Sequence, residues 1–306
     1  MLRHVSLRLL FAIPTLWLLL TMVFLLVHLV PGDPVDQMLG EGARVEDRAE
    51  LRRALGLDQP IHIQYGRYLA GLVRGDWGQS FRFQRPVLEV VAERYPATME
   101  LAFFALLISA ALGIPLGVWA AHRRGHAADR AVGFFSLFGI AVPNFALGPL
   151  LILVFSVQLG LLPVSGRGSW QNLVLPAATL GAALAAILTR MVRTAMMEEL
   201  SSDYVRTARA KGLPERAVLF GHAFRNALIP VITILGLQFG TLLAGTIVTE
   251  SIFSWPGVGR LAVQAIQSRD YPLLQGCILM IAASYVVVNL VTDMVYAIVD
   301  PRIRLS

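Results

Sequence analysis

Six apolar runs, at residues 9–30, 98–121, 132–157, 173–197, 228–250 and 273–299, constrain this chain more than any other feature of its sequence. A helix needs roughly 20 predominantly apolar residues to cross a hydrocarbon core ~30 Å thick, and each run reaches that length. With 56% hydrophobic and only 15% charged residues, the chain lies far from the composition of a soluble domain. The fold these features imply is an all-α polytopic membrane protein with six transmembrane helices. The first run follows Arg3 and Arg8, as a secretory signal would. It is about twice as long as a cleaved apolar core and ends in Val-Pro-Gly-Asp-Pro without a small-x-small cleavage site, which favours an uncleaved anchor.

The distribution of Lys and Arg among the short loops gives the expected orientation. Arg3 and Arg8 precede the first run, Arg123, Arg124 and Arg130 separate the second from the third, and Arg302 and Arg304 follow the sixth. Arg190, Arg193, Arg206, Arg209, Lys211, Arg216 and Arg225 gather between the fourth and fifth. The opposite short loops carry Arg167, Arg260 and Arg269. Both termini and residues 198–227 are therefore expected in the cytoplasm, and residues 31–97 outside, since long loops cross largely regardless of charge. A net charge of +6 could suit nucleic acid, but no basic patch is interleaved with aromatics, so no such partner is expected. The single cysteine, Cys277, excludes an internal disulfide and a cysteine-rich metal site, and reads as a small packing residue.

The chain divides into residues 1–30, 31–97 and 98–306. In the middle section the apolar spacing of Glu46 to Leu55 predicts a helix that Gly56 can cap, and a second is predicted from Ile61 to Val73, ending near Gly75. His122, His126 and Asp129 have a spacing that on a helix could ligate a metal. Gly125 interrupts them in a short arginine-rich loop, so no metal is expected. In the third run, Val142, Pro143 and Asn144 set a helix breaker beside an amide, which implies a kink that either lines a polar path or serves packing. Arg190 and Arg193 end the fourth run and read as snorkelling to the interface. Gly113 with Gly117, and Gly236 with Gly240, are small-xxx-small pairs that call for close helix packing. Gln238, Thr241 and Asn289 are costly in lipid unless they face the bundle or water, and with Pro143 and Asn144 they are candidates for a polar path. Glu250 and Asp293 stand at or near run ends and read as interfacial. Trp255-Pro256-Gly257 reads as a tight turn carrying an aromatic suited to the membrane interface.

The longest polar interruption in the second half, residues 198–230, reads as a small helical module. Ser201, Ser202 and Asp203 are N-cap residue types, and nothing from Tyr204 to Lys211 breaks a helix. Gly212 supplies a left-handed C-cap, and Pro214 fits the first turn of a second helix running toward Asn226. Ala208 and Ala210 keep the first helix slim while Arg206, Arg209 and Lys211 add positive charge, which suits a knob for a partner's groove. A solvated loop is the plainer alternative.

DYVRTARAKGL followed by HAFRNALIPVIT resembles the cytoplasmic coupling segment of ABC importer permeases, and most closely the branch that imports dipeptides, oligopeptides, glutathione and nickel. Arg206, Thr207 and Ala208 stand where the general motif has Glu-Ala-Ala, and Ile229-Pro230 falls later than the general pattern; both are similar to the habit of the peptide branch. VPGDP, LGLDQPIHIQYGRYLAGLVRGDWGQSF, FSWPGVGRL with RDYP, and DPRIR at Asp300 to Arg304 extend the resemblance over essentially the whole chain. It implies a permease of the bacterial inner membrane in which Asp203, Tyr204, Arg206, Thr207, Ala208, Arg209, Lys211 and Gly212 dock on an ATPase. It further implies two ATPase subunits that use ATP and Mg, a second homologous permease, and an extracytoplasmic binding protein. Asp76, Trp77, Trp255, Pro256, Arg269 and Asp270 would receive that binding protein, unless the external segment is only a solvated cap. The cargo implied is a dipeptide ahead of an oligopeptide or glutathione, with nickel or another chelate as the alternative. No G-x-x-x-x-G-K-[ST], G-x-S-x-G or H-E-x-x-H occurs, so neither ATP binding by that route nor hydrolytic chemistry is expected of this chain, which would carry no cofactor of its own. An ion-coupled secondary transporter would call for ionisable groups deep in the bundle or a duplicated half, and the sequence offers neither.

Overall fold

The computed structural model describes residues 13–25, 35, 39 and 44–299, and among these every regular element is a helix. The first apolar run is seen as α1, Ile13–Leu25. The rest of that run, the VPGDP stretch and the terminal DPRIR lie outside the described residues. There follow α2 (Val45–Ala54), α3 (Ile61–Val73), α4 (Val87–His122), α5 (Ala127–Ala141), α6 (Asn144–Leu151), α7 (Trp170–Leu200) and α8 (Asp203–Ala210). The chain ends in α9 (Phe224–Gly245), α10 (Ile247–Ile252), α11 (Val258–Gln267) and α12 (Tyr271–Val299). Among the described residues, Val87–His122, Trp170–Leu200, Ala217–Leu243 and Tyr271–Thr292 are each long and apolar enough to cross a membrane, and α5 with Asn144–Gln158, which is α6 continued by the π-helical Ile152–Gln158, makes a fifth if a bent pair counts as one span.

That pair departs from the expected kink. Its two halves meet at 100°, so the third run is a broken span or a re-entrant loop. Val142 is extended at ψ 115°, the conformation imposed on a residue before proline, and Asn144 restarts the helix. α4 also begins well before its apolar run. Val87, Val90 and Val91 recur at helical spacing and pack with Val258, Leu261 and Leu273, so burial extends the helix into sequence that is polar on its other faces.

Two compact units divide the chain. One comprises residues 99–255 and 285–299 of the described chain, with α7 as its axis. Leu188, Val192, Ala195 and Met196 of α7 pack with Val118 and Ala121 of α4, Val205 and Ala208 of α8, and Ala227 and Val231 of α9. The glycine pairs belong to this packing. A Cβ on Gly113 would lie 2.9 Å from Leu188 Cβ and one on Gly117 2.6 Å from Val192 Cβ, while one on Gly236 would collide with the side chain of Thr292. The other unit holds the described residues of 13–98 together with 256–284. Its core joins the first turns of α4 to α11 and the start of α12, with Cys277 buried among them.

Candidate functional site

The 198–230 module takes its shape from two opposed faces. Val205 and Ala208 of α8 are buried in the α7 core, whereas Asp203, Tyr204, Arg206, Thr207, Arg209, Lys211 and Gly212 are exposed. Ala208 therefore faces inward, and the slimness expected of it serves the contact with α7. Ser202 is the N-cap residue of α8, but its hydroxyl donates back to the Glu199 carbonyl at 2.6 Å, as that of Ser201 does to Glu198 at 2.8 Å. Both serines thus close the end of α7. Gly212 has φ +77°, the left-handed value its position after α8 requires. The second helix does not stop near Asn226. It passes through a π-helical stretch, Ala217–Ala223, straight into α9, because Val218, Leu219, Ala223 and Ala227 bury one continuous face.

Charge pairs stiffen the turn between the two helices. Arg209 donates through Nη2 and Nε to Glu215 at 2.7 and 3.2 Å, and this guanidinium holds the Glu215 carboxyl below the usual carboxylate range. The Tyr204 hydroxyl donates to the Glu199 carboxylate; burial first, and then that bond, push its pKa up. The result is a preformed knob, cationic on its outer face and apolar beneath.

Arg193 is not a snorkelling residue. Its Nε and Nη2 donate to Asp129 Oδ1 and Oδ2 at 2.5 and 2.9 Å, and Gly125 N donates to the same Oδ2 at 3.0 Å. Asp129 is thereby saturated on the first turn of α5, while His122 and His126 point to solvent. Among the described residues no group of three His, Cys, Asp or Glu side chains is placed to hold a metal ion.

The residues expected along a polar path fall in different settings. Asn144 starts α6 at the break after Pro143, and its Oδ1 is buried with no partner among the described residues. Gln238 is buried and committed within the chain: Ser109 donates to its Oε1 at 3.2 Å, and its Nε2 donates to the Leu184 carbonyl at 3.1 Å. It ties α9 to α4 and α7. Thr241 donates to the Gln238 carbonyl at 2.8 Å, and Asn289 faces α9 across Gly240. Beside them α9 and α12 flank a cavity of 380 Å³ lined by apolar side chains such as Ile232, Leu235 and Val288, which nothing in the sequence pattern had marked.

Two residues expected at a docking face are interior. Trp255 is 1% exposed, with the Arg167 guanidinium 5.8 Å from its ring centre, so it is not an interface aromatic. Ser254 at φ +49° folds it inward. Asp270 is fully buried and accepts from Ser80 Oγ at 2.5 Å, Arg82 N at 3.0 Å and Leu273 N at 3.2 Å, capping α12. Glu250 is likewise buried and not interfacial, with Thr246 Oγ1 donating to it at 3.0 Å. Asp76 remains exposed, and Trp77, Pro256 and Arg269 are half-buried. The side chain of Asp293 lies outside what is described.

Residues 113–305 match the family described as the binding-protein-dependent transport system inner membrane component, and residues 1–102 match the N-terminal family of the same membrane component. The glutathione transport system permease proteins GsiC of Salmonella paratyphi A and of Escherichia coli (strain K12) are each 45% identical over 304 residues, covering 99% of both chains. Among solved structures, the inward-facing MetNI methionine ABC transporter covers 70% of this chain and 97% of its own at a TM-score of 0.60 and 17% identity. An amino acid ABC transporter with histidines covers 70% and 94% at a TM-score of 0.51 and the same identity, and both likenesses concern the fold. With a sharply bent apolar helix pair after α4, an exposed helical knob between α7 and α9, and family matches over nearly all its length, the chain belongs to the binding-protein-dependent inner membrane components: it is a permease subunit of an ABC importer.

Proposed function

We propose that this permease takes up glutathione and other short peptides delivered by an extracytoplasmic binding protein, and that α8 is where ATP hydrolysis is coupled to transport. The observation that carries the coupling role is the construction of α8: apolar contacts fix it to α7 while its charged face and Gly212 are exposed. Force applied to such a helix passes into α7 rather than dissipating in a loop. Two separate ATPase subunits use ATP and Mg, and a second homologous permease completes the path. Their closure pushes α8 and tilts the spans toward an outward-facing state; hydrolysis resets them. Both termini lie in the cytoplasm and residues 31–97 outside.

The cargo reading is supported by relatives named for glutathione that align over 99% of both chains, and on that support we rank glutathione ahead of the dipeptide that the sequence favoured. It is tested by uptake of labelled glutathione and labelled dipeptide into cells lacking their own peptide importers, with this permease expressed beside its partner subunits. Mutual competition between the two, and none from nickel, is expected. Uptake of nickel alone, or uptake that survives loss of the ATPases, would overturn it.

A further inference from the structure

The unit formed by residues 13–98 and 256–284 contains a cavity of 540 Å³ that neither the coupling module nor the helix packing explains. Its size lies within the range of small-molecule sites. Gln275, on α12, lines this cavity and is only 8% exposed, yet among the described residues no hydrogen bond engages its carboxamide. A carboxamide nine-tenths buried with both its donor and its acceptor unused is costly unless something completes it.

The rest of the wall has matching chemistry. Arg67 lines the cavity with no ion pair or hydrogen bond among the described residues, and Gly56 leaves it room: a Cβ there would lie 3.2 Å from Arg67 Nη1. Asp76 also lines it, with only Oδ1 engaged, by Gly78 N at 2.9 Å. The two opposite charges do not pair with each other, so each remains open to a ligand. Phe24, Tyr68 and Trp77 also line the cavity.

We propose that this cavity binds a free short peptide in its zwitterionic form, the carboxylate on Arg67, the ammonium on Asp76 and a backbone amide on Gln275. The assignment rests on the reading of the chain as a peptide-importing permease, and it adds a binding site within the unit formed by residues 13–98 and 256–284. A planar guanidinium matches a carboxylate through paired N–H donors, a carboxamide matches a peptide group donor for acceptor, and aromatic faces accept the side chains in between.

The test uses the whole transporter with its partner subunits in lipid nanodiscs, without the binding protein. It is titrated with glutathione, alanyl-alanine and alanyl-alanine amide, with binding read by saturation-transfer NMR. Glutathione and alanyl-alanine should saturate, and the amide, which has no carboxylate, should bind about tenfold more weakly. Arg67→Gln should weaken alanyl-alanine by about tenfold, Arg67→Lys by less, and Gln275→Leu, which keeps the volume, by about fivefold. A wild-type complex that shows no saturation up to about 10 mM overturns the proposal, as does equal affinity in Arg67→Gln and wild type. Loss of binding-protein capture in Arg67→Gln with no peptide titration overturns it in favour of a protein docking surface. Titration without uptake would instead sink the transport reading and leave the site standing; uptake without titration would sink only the site.

Discussion

Replacing Gly117 by alanine should loosen the contact between α4 and α7 on which the first unit depends. The new Cβ would lie 2.6 Å from Val192 Cβ and 2.7 Å from the Thr189 carbonyl oxygen. Carbon contacts are comfortable at about 3.5 Å, so the helices must part by roughly 0.9 Å, and the carbonyl, being backbone, cannot swing away. Overpacking of this kind costs about 1–3 kcal/mol, against which alanine in a helix regains about 0.5–1 kcal/mol over glycine. The net of the mid-range values is a loss of about 1 kcal/mol. Gly133, on α5, is the matched control, because no atom lies within 4 Å of where its Cβ would be. Gly133→Ala should hold or gain up to about 1 kcal/mol. The assay is the apparent thermal midpoint of the purified complex at one fixed scan rate, since membrane complexes unfold irreversibly. A Gly117→Ala complex as stable as wild type would refute the close approach of α4 and α7.

Asp129→Asn should lower the same midpoint by an amount equivalent to about 1–3 kcal/mol, because Arg193, a third exposed, keeps some solvent when its bidentate partner is weakened. Asp270→Ala should cost roughly 3 kcal/mol, since it leaves a buried hydroxyl and a backbone N–H without an acceptor and removes the cap of α12; Asp270→Asn should cost less. Glu215→Gln should cost at most about 1 kcal/mol, as both partners are over two-fifths exposed. Because Arg209 lowers the Glu215 pKa, the pair contributes fully above the usual carboxylate range and is lost only as pH falls through the depressed value. The midpoint difference between wild type and Glu215→Gln should therefore stay flat from neutrality down to that range and shrink as pH falls through it toward the depressed value.

Much of the architecture is legible because its signals are local. Ile61–Val73 begins right after Pro60 and ends before Gly75, whose φ of +79° only glycine adopts readily, so its limits follow from the letters. α8 is legible for the same reason, with Gly212 at φ +77° behind it. What escaped is set by partners distant in sequence. Arg193 meets Asp129 across 64 positions, and an arginine near a run end looks the same whether it snorkels or pairs. Trp255 and Asp270 carry residue types typical of surfaces and interfaces, and only the packing around them buries both. The unused carboxamide of Gln275 had no signal at all, because a glutamine on an apolar helix does not announce which of its bonds are made.

The coupling role of α8 is tested most directly by comparing Gly212→Glu with Gly125→Glu. Both glycines are left-handed, at φ +77° and +80°, and at neither does any atom lie within 4 Å of a Cβ, so the two changes impose the same backbone strain of about 1–2 kcal/mol and no internal clash. Only Gly212 sits on the knob proposed to enter the ATPase. Uptake of labelled glutathione, measured at matched levels of assembled permease, should vanish in Gly212→Glu and persist in Gly125→Glu. Normal uptake in Gly212→Glu, or an equal fall in both, would contradict the coupling role.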